Sequence, residues 1–258
     1  QGEDLGTEYI IDLLNRFELT VNDHKTIFDY CTQNNLTYMC TPWDKKSILN
    51  LEKFGVHAYK VSSADLTNMK LLTELVKTNK PLILSTGMSL LNEIEYTVNF
   101  LNKNVVEFAL LHCNSTYPAP LHDINLNWMN NLFRYTDWVG YSGHERGIYV
   151  SLAAAGAGAL IIERHFTLDR NMEGPDHAAS LEFDDFKLMI SGIREIEIAL
   201  GDKLTKKVSQ GEMINRENLS KSLVSSKKIL KGTFIDESHI DIKSPGQGLS
   251  VQKYDKLI

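Results

Sequence analysis

The chain has 258 residues, 43% of them hydrophobic and 23% charged, with a net charge of −6, enough apolar residue for a sizeable globular core. The acidic balance argues against a nucleic-acid footprint, which needs clustered Lys and Arg, and no apolar run approaches the roughly 20 residues of a membrane helix. Gln1-Gly2-Glu3-Asp4 lacks the basic and apolar regions of a signal peptide, and Cys31, Cys40 and Cys113 are too scattered for a disulfide framework or zinc knuckle, so a reducing cytoplasm is the simplest setting.

A helical pattern over residues 22–34 comes first, and strand and helix patterns then alternate. The predicted strands are 37–40, 58–61, 81–84, 108–112, 138–140 and 160–163, and the helices between them are 45–54, 67–78, 90–101, 126–133 and 147–157. A long helix over 184–200 follows, opening on acidic residues as a helix N-terminus prefers. This repeat indicates a parallel sheet covered by helices. An open doubly wound sheet concentrates function at one switch point, whereas a (β/α)8 barrel gathers every strand end around one mouth. All six predicted strands run into polar or reactive residues, which favours the barrel with two strands unaccounted for. Residues 1–201 are therefore predicted as a partial barrel and 202–218 as a polar linker. Residues 219–258 read as a small β-rich module with runs at 220–225, 229–234 and 240–242, too short to bury much core alone.

The strand ends offer Thr41 with Trp43, Lys60 with Ser62 and Ser63, Ser85-Thr86-Gly87, Cys113 through Tyr117, Ser142-Gly143-His144-Glu145 and Glu163-Arg164-His165. One Lys, one candidate Arg and at least four hydroxyls suit a phosphate or carboxylate, and a few placed cations suffice even in an acidic protein. Lys60 leaves a buried strand and needs a partner, which an anion in the mouth supplies. His144 and His165 end neighbouring strands and could share a divalent ion such as Mn²⁺; packing histidines with satisfied ring nitrogens are an equal alternative. Ser85-Thr86-Gly87 reads either as a turn whose hydroxyl caps a helix or as a phosphate cradle at a helix start, the turn being slightly favoured. Gly174-Pro175-Asp176-His177 reads as a tight turn, close enough to the last strand for Asp176 to reach a substrate hydroxyl.

Those runs resemble the sialic acid (N-acetylneuraminate) synthase family, nonulosonic acid synthases with a C-terminal antifreeze-like (SAF) domain. The resemblance is carried by Tyr59-Lys60-Val61-Ser62-Ser63-Ala64-Asp65, Leu84-Ser85-Thr86-Gly87-Met88, His112-Cys113 through Pro120, and Gly140-Tyr141-Ser142-Gly143-His144-Glu145. The most specific run is Ile162-Glu163-Arg164-His165-Phe166-Thr167-Leu168-Asp169-Arg170, followed by Gly174-Pro175-Asp176-His177. Together they span about residues 37–181 in order and spacing, and the tail from Lys221 is similar to the antifreeze-like domain. The resemblance implies a TIM barrel that joins phosphoenolpyruvate to N-acetylmannosamine, its 6-phosphate or a diacetamido sugar leading to legionaminic acid. The implied enzyme is a carbon–carbon bond-forming transferase that releases phosphate. Lys60, Ser63, Ser85, Thr86 and Ser142 would hold the phosphate and carboxylate of phosphoenolpyruvate, and Ser115, Tyr117 and Asp176 would contact the amino sugar. His144 and His165 would ligate a divalent metal, Mn²⁺ before Mg²⁺ or Co²⁺, beside the catalytic carboxylate of Glu163. That metal would polarise the sugar's C1 aldehyde for attack by C3 of phosphoenolpyruvate.

The chain also departs from the family pattern. The family's first two strands, with a Glu, a phosphate-binding Lys and a Gln, find no counterpart, so the expectation is an incomplete barrel, inactive and with exposed sheet edges. The antifreeze-like domain is expected to be truncated at its end. Ser244 stands where several bacterial members carry an Arg that enters a partner's site, and Lys243 lacks that residue's bidentate fork. The resemblance further implies a domain-swapped homodimer. A degenerate, non-catalytic barrel and a Schiff-base lyase or aldolase built on Lys60 are the competing readings.

Overall fold

The computed structural model describes residue 12 and residues 15–201 and 205–258. The chain divides into two compact units, Gln1–Gly201 and Asp202–Ile258.

In the first unit, helix boundaries follow local capping chemistry. Thr20 and Asp23 form a reciprocal capping box at the start of α1 (Val21–Gln33). The Asp44 carboxylate accepts from the Ser47 N–H to start α2 (Lys45–Phe54), which ends at left-handed Gly55. Five strands follow, interleaved with helices: β1 (Tyr59–Val61), α3 (Met69–Val76), β2 (Leu82–Ser85), α4 (Leu91–Lys103), β3 (Phe108–Cys113) and the short α5 (Leu121–Ile124). A 3₁₀ helix, Leu126–Arg134, leads to β4 (Val139–Gly143), α6 (Tyr149–Gly156), β5 (Ile161–Arg164) and α7 (Phe183–Leu200). The strands pair in chain order, all parallel. A doubly wound sheet would reverse its strand order at a switch point, and none of these pairings does so.

The register divides every strand between two environments. Lys60 pairs with Ile83, Ser85 with Leu111, Cys113 with Ser142, and Ser142 with Glu163, so these side chains share one face of the sheet. Tyr59, Val61, Leu82, Leu84, Leu110, Val139 and Tyr141 occupy the other face, each at most 1% exposed. They pack with Leu72 and Leu75 of α3, Ile94 and Leu101 of α4, and Met129 and Leu132. The hydrophobic core therefore lies between sheet and helices, and the chemistry collects on the opposite face.

Residues 37–40 do not enter the sheet as a strand, although the Lys60 N–H donates to the Cys40 carbonyl. The predicted helix at 126–133 is a 3₁₀ helix. In the second unit, α8 (Gln210–Leu219) occupies half of the stretch predicted as a linker, capped reciprocally by Ser209 and Glu212; residues 202–204 of that stretch lie outside the described residues. β6 (Ser222–Ser225) pairs antiparallel with β7 (Ile240–Lys243) and β8 (Leu249–Ser250), and α9 (Tyr254–Leu257) closes the chain. Residues 229–234 form no strand, because Gly232 turns the backbone at φ 90° and Thr233 N–H closes on the Leu230 carbonyl. No described helix is long and apolar enough to cross a membrane.

Two expected outcomes follow from this packing. A Cβ on Gly140 would lie 2.4 Å from the Ile161 carbonyl oxygen and 2.5 Å from Leu111 Cδ2, whereas one on Gly211 in α8 meets nothing. Gly140→Ala should destabilise the protein by about 1–3 kcal/mol by forcing β4 from β5. Gly211→Ala should leave stability unchanged or raise it by up to about 1 kcal/mol, both read by urea unfolding. The second concerns His112, buried beside Trp128 and bonded from Nε2 to the Ile124 carbonyl at 2.7 Å. Burial lowers its pKa below the ordinary 6.5, and burial acts likewise on His144 and His165. Above that value folded and unfolded chains both hold neutral rings. As the pH falls below it, the unfolded chain takes up protons the folded one refuses, and stability drops by up to about 1.4 kcal/mol per pH unit for each ring. His112→Asn should flatten the difference in unfolding free energy measured between about pH 7 and about pH 5.5.

Candidate functional site

At the C-terminal ends of β1–β5 a cavity of about 510 Å³ opens on the sheet face opposite the core. Of the predicted site residues, Lys60, Ser63, Ser85, Ser115, Tyr117 and Ser142 line it, as do His144, Glu163, His165 and Asp176. Lys60 is the cation at its floor. Its side chain is 11% exposed, and Nζ donates to Ser85 Oγ at 2.8 Å and to the Val61 carbonyl at 3.0 Å, with Glu163 Oε2 at 3.6 Å. Burial pulls the ammonium pKa down and the Glu163 charge opposes it, so an anion beside Lys60 favours its charged form.

Ser63 and Ser115 meet at Gly87. The Gly87 N–H donates to Ser63 Oγ at 3.1 Å, and a Cβ there would sit 2.3 Å from Ser115 Oγ and 2.8 Å from Ser63 Oγ. Only glycine lets the loop after β2 come this close to the hydroxyls. Cys113 Sγ lies 3.6 Å from Ser63 Oγ and 3.8 Å from both Ser115 Oγ and His144 Nδ1. Cys113, a strand-end residue to which the sequence assigned no role, thus joins the cavity wall. Its signal was the alternation along β3, which sets it on the face of Leu111 and opposite His112.

The two imidazoles stand at the rim. Tyr117 stacks on His144 at 4.1 Å between ring centres and meets His165 edge-on at 5.5 Å; burial pushes its phenol pKa up, keeping it a neutral donor. His144 Nδ1 donates to the Asn114 carbonyl at 2.6 Å, which leaves Nε2 with its lone pair. The rings of His144 and His165 are 5.2 Å apart with planes inclined at 67°, and two imidazoles bound to one ion at about 2.1 Å have ring centres roughly 5 Å apart. Burial lowers both pKa values and keeps the rings neutral, the form that ligates. Asp176 Oδ2 lies 3.8 Å from His165 Nδ1. Among the described residues no group of three or more His, Cys, Asp or Glu side chains converges as a metal cage. The pair therefore fits a divalent ion whose other positions are open to water or substrate.

Two candidates fall elsewhere. Thr86 Oγ1 donates to the Leu111 carbonyl at 2.9 Å, and its side chain is buried between β2 and β3 instead of facing the cavity. The turn reading of Ser85-Thr86-Gly87 also fails as a helix cap, since α4 begins at Leu91 with the Leu90 N–H held by Glu93. Arg164 supplies no cation to the anion pocket. It follows Glu163 on β5 and so takes the opposite face, where its guanidinium meets Glu145 at 2.8 Å with both side chains 0% exposed.

A second, contiguous cavity of about 760 Å³ extends from His165 and Asp176. Trp43, Phe166 and Pro175 give it apolar walls, Glu18 and Glu173 give it carboxylates, and no Lys or Arg lines it among the described residues.

The NeuB family model matches residues 1–205. The chain is 41% identical over 254 residues to N,N'-diacetyllegionaminic acid synthase of Campylobacter jejuni, covering 96% of this chain and 75% of that protein. It is 31% identical over 228 residues to N-acetylneuraminate-9-phosphate synthase of Homo sapiens, covering 88% of this chain and 63% of that protein. The structure of N-acetylneuraminic acid (sialic acid) synthetase from Leptospira borgpetersenii superposes with a TM-score of 0.77 at 31% identity, over 81% of this chain and 74% of that one. With its lysine, hydroxyls and paired histidines gathered on one face of a parallel sheet, the chain belongs to the NeuB family.

Proposed function

We propose that this protein is a nonulosonic acid synthase, condensing phosphoenolpyruvate with a neutral N-acetylated amino sugar and releasing phosphate. The observation that carries the reading is that one cavity brings Lys60, five serines and Glu163 beside the imidazoles of His144 and His165. The full reading places the five parallel strands in a (β/α)8 barrel. It makes the enzyme a transferase.

Lys60, Ser85, Ser63 and Ser142 would bind the phosphate and carboxylate of phosphoenolpyruvate through charge-assisted hydrogen bonds. An incoming anion takes the place of Glu163 as the partner of Lys60, which frees the carboxylate for proton work. A divalent cation such as Mn²⁺, held by His144 and His165, would supply Lewis-acid polarisation of the sugar's aldehyde oxygen. The new carbon–carbon bond forms between C3 of phosphoenolpyruvate and C1 of the sugar, and water adds at C2. Glu163 takes a proton from that water, and the C1 oxygen ends as a hydroxyl. The bond from C2 to the phosphate oxygen then breaks, and phosphate leaves. Tyr117, Ser115 and Asp176, which line the same cavity, would hold the sugar's polar groups. Because these donors are fixed before substrate arrives, charge is stabilised without reorganisation.

The adjoining cavity supports an uncharged acceptor. A sugar 6-phosphate there would face Glu18, Glu173 and Asp176 with no Lys or Arg among the described lining residues to pair it, whereas apolar acetamido and deoxy groups would meet Trp43, Phe166 and Pro175. The higher identity to the Campylobacter jejuni legionaminic acid synthase points the same way, and we favour a diacetamido sugar as acceptor. The second unit we take as the antifreeze-like module, supported by its small three-stranded antiparallel sheet, and as the part exchanged in a swapped homodimer. There Ser244 Oγ bonds Lys221 and the Leu219 carbonyl, and Lys243 pairs with Asp241.

The test is phosphate release from phosphoenolpyruvate by the full-length gene product, stripped of metal and then given Mn²⁺, with neutral and phosphorylated amino sugars. Metal-dependent release with neutral sugars and formation of a nonulosonic acid is expected. A folded protein that releases no phosphate with any amino sugar would be a binding barrel. Lys60→Ala should lower kcat/KM for phosphoenolpyruvate by at least about 100-fold, and Ser85→Ala should raise its KM. Thr86→Val should lower the melting temperature, by about 1 kcal/mol of lost hydrogen bond, with KM unchanged. Removing residues 202–258 should convert a dimer to a monomer in light scattering; a surviving dimer would discard the swap.

A further inference from the structure

Behind the two imidazoles, on the core side of the sheet, lies a buried polar junction that the reaction as described does not use. Arg164 separates Glu163 from His165, and Glu145 follows His144 directly. The guanidinium and the carboxylate are both 0% exposed and meet at 2.8 Å between Nη1 and Oε1. The same Nη1 donates to the Gly147 carbonyl at 2.7 Å and to Ser151 Oγ at 3.1 Å. Nη2 donates to the Glu145 carbonyl and, at 3.4 Å, to the Ala179 carbonyl. The other carboxylate oxygen, Oε2, accepts from Tyr141 Oη at 2.7 Å. Gly143 makes room for the pair, since a Cβ there would lie 2.9 Å from Glu145 Oε2 and 3.0 Å from Arg164 Cδ.

One guanidinium therefore ties four segments together. They are the end of β4, the start of α6, the end of β5, and the turn whose Ala179 N–H is bonded to the Asp176 carbonyl. All but the Ser151 bond reach the residue next to a rim side chain or the loop that carries one. A buried charge pair is a poor source of stability compared with apolar packing, because its desolvation cost is large. Its directional bonds, however, leave the joined segments one arrangement.

We infer that Glu145 and Arg164 are positioning residues, which fix the separation and tilt of the His144 and His165 rings and the reach of Asp176 toward His165. The inference rests on the reading of those imidazoles as the metal donors of the synthase site. The joint acts through the backbone at residues 144, 165 and 176 and touches no reactant itself.

The test compares the unchanged protein with Arg164→Lys, which keeps the charge but loses the fork, and with Glu145→Gln, which keeps the shape but loses the charge. The first readout needs neither metal nor turnover: the imidazole ¹H–¹⁵N resonances of the metal-free protein, assigned through His144→Gln and His165→Gln. In both variants the His144 and His165 signals should move while that of exposed His122 stays. The second readout is Co²⁺ titration followed by its visible spectrum, in which affinity should fall by about 10-fold or more with altered band positions. Circular dichroism and thermal melting confirm that each variant is folded. Should Arg164→Lys be unfolded, Glu145→Gln carries the comparison, and the milder Ser151→Ala, which removes one bond to the guanidinium, stands in if both are. A folded variant whose His144 and His165 signals are unmoved and whose Co²⁺ affinity stays within twofold overturns the inference, reducing the pair to a structural contact. If the unchanged protein binds no Co²⁺, the metal reading of the preceding section fails, and the imidazole resonances decide the positioning alone.

Discussion

The alternation of side chains along a strand, combined with the parallel register of five strands, governs everything else in this protein. Successive residues point to opposite faces, so each strand contributes to two incompatible environments within a few ångströms. On one face Tyr59, Val61, Leu84, Leu110, Val139 and Tyr141 are sealed under the helices. On the other, Lys60, Ser85, Cys113, Ser142 and Glu163 share a cavity. A one-residue slip in any strand would exchange the two sets, placing a lysine or glutamate in the core. The hydrophobic pattern that holds the fold in register is thus also what aims the polar groups.

Concentrating charge on a partly buried face has an electrostatic consequence. Lys60 is shielded from water, and it is stabilised as a cation by Glu163 at 3.6 Å and by the Ser85 and Val61 oxygens. The ammonium and the carboxylate balance each other, and on the proposed reading a dianionic substrate would displace the glutamate because it offers more charge to the same ammonium. The imidazoles obey the opposite logic. Burial keeps them neutral, so at the rim they present lone pairs where cations would repel a metal ion. One cavity therefore holds a buried ammonium at its floor and two neutral imidazoles at its rim, and the difference comes from burial acting on two kinds of base.

Much of this was legible in the sequence because strand ends in a strand–helix repeat must share a mouth, and residues such as Lys60, His144 and Glu163 sit within two positions of an apolar run. The misses share a cause: a motif read as a string carries no face. Glu163-Arg164-His165 looks like three polar residues at one site, yet the pleat sends Arg164 to Glu145 on the core side. Ser85 and Thr86 look interchangeable, yet only Ser85 faces Lys60, while Thr86 bonds a carbonyl of β3. In the second unit the Ser209 to Glu212 capping box was visible but was outweighed by the polarity of its surroundings. The run at 229–234 has strand composition, and its glycine turn overrode that preference. Local composition proposes an element, and capping and turn chemistry decide whether it forms.

On the inference above, the misplaced arginine would let two strand ends hold their rim side chains in place although loops are the mobile part of such folds. Hydrophobic packing constrains volume and tolerates small rotations, whereas a planar guanidinium bonded to a carboxylate, three carbonyls and a hydroxyl does not. The hydrophobic core fixes where β4 and β5 lie, and the polar joint fixes how their last residues are turned. The sequence packs that division of labour into adjacent positions, with a core-side anchor beside each rim imidazole. In this protein the residue that touches the cavity and the residue that orients it are chain neighbours on opposite faces of one sheet.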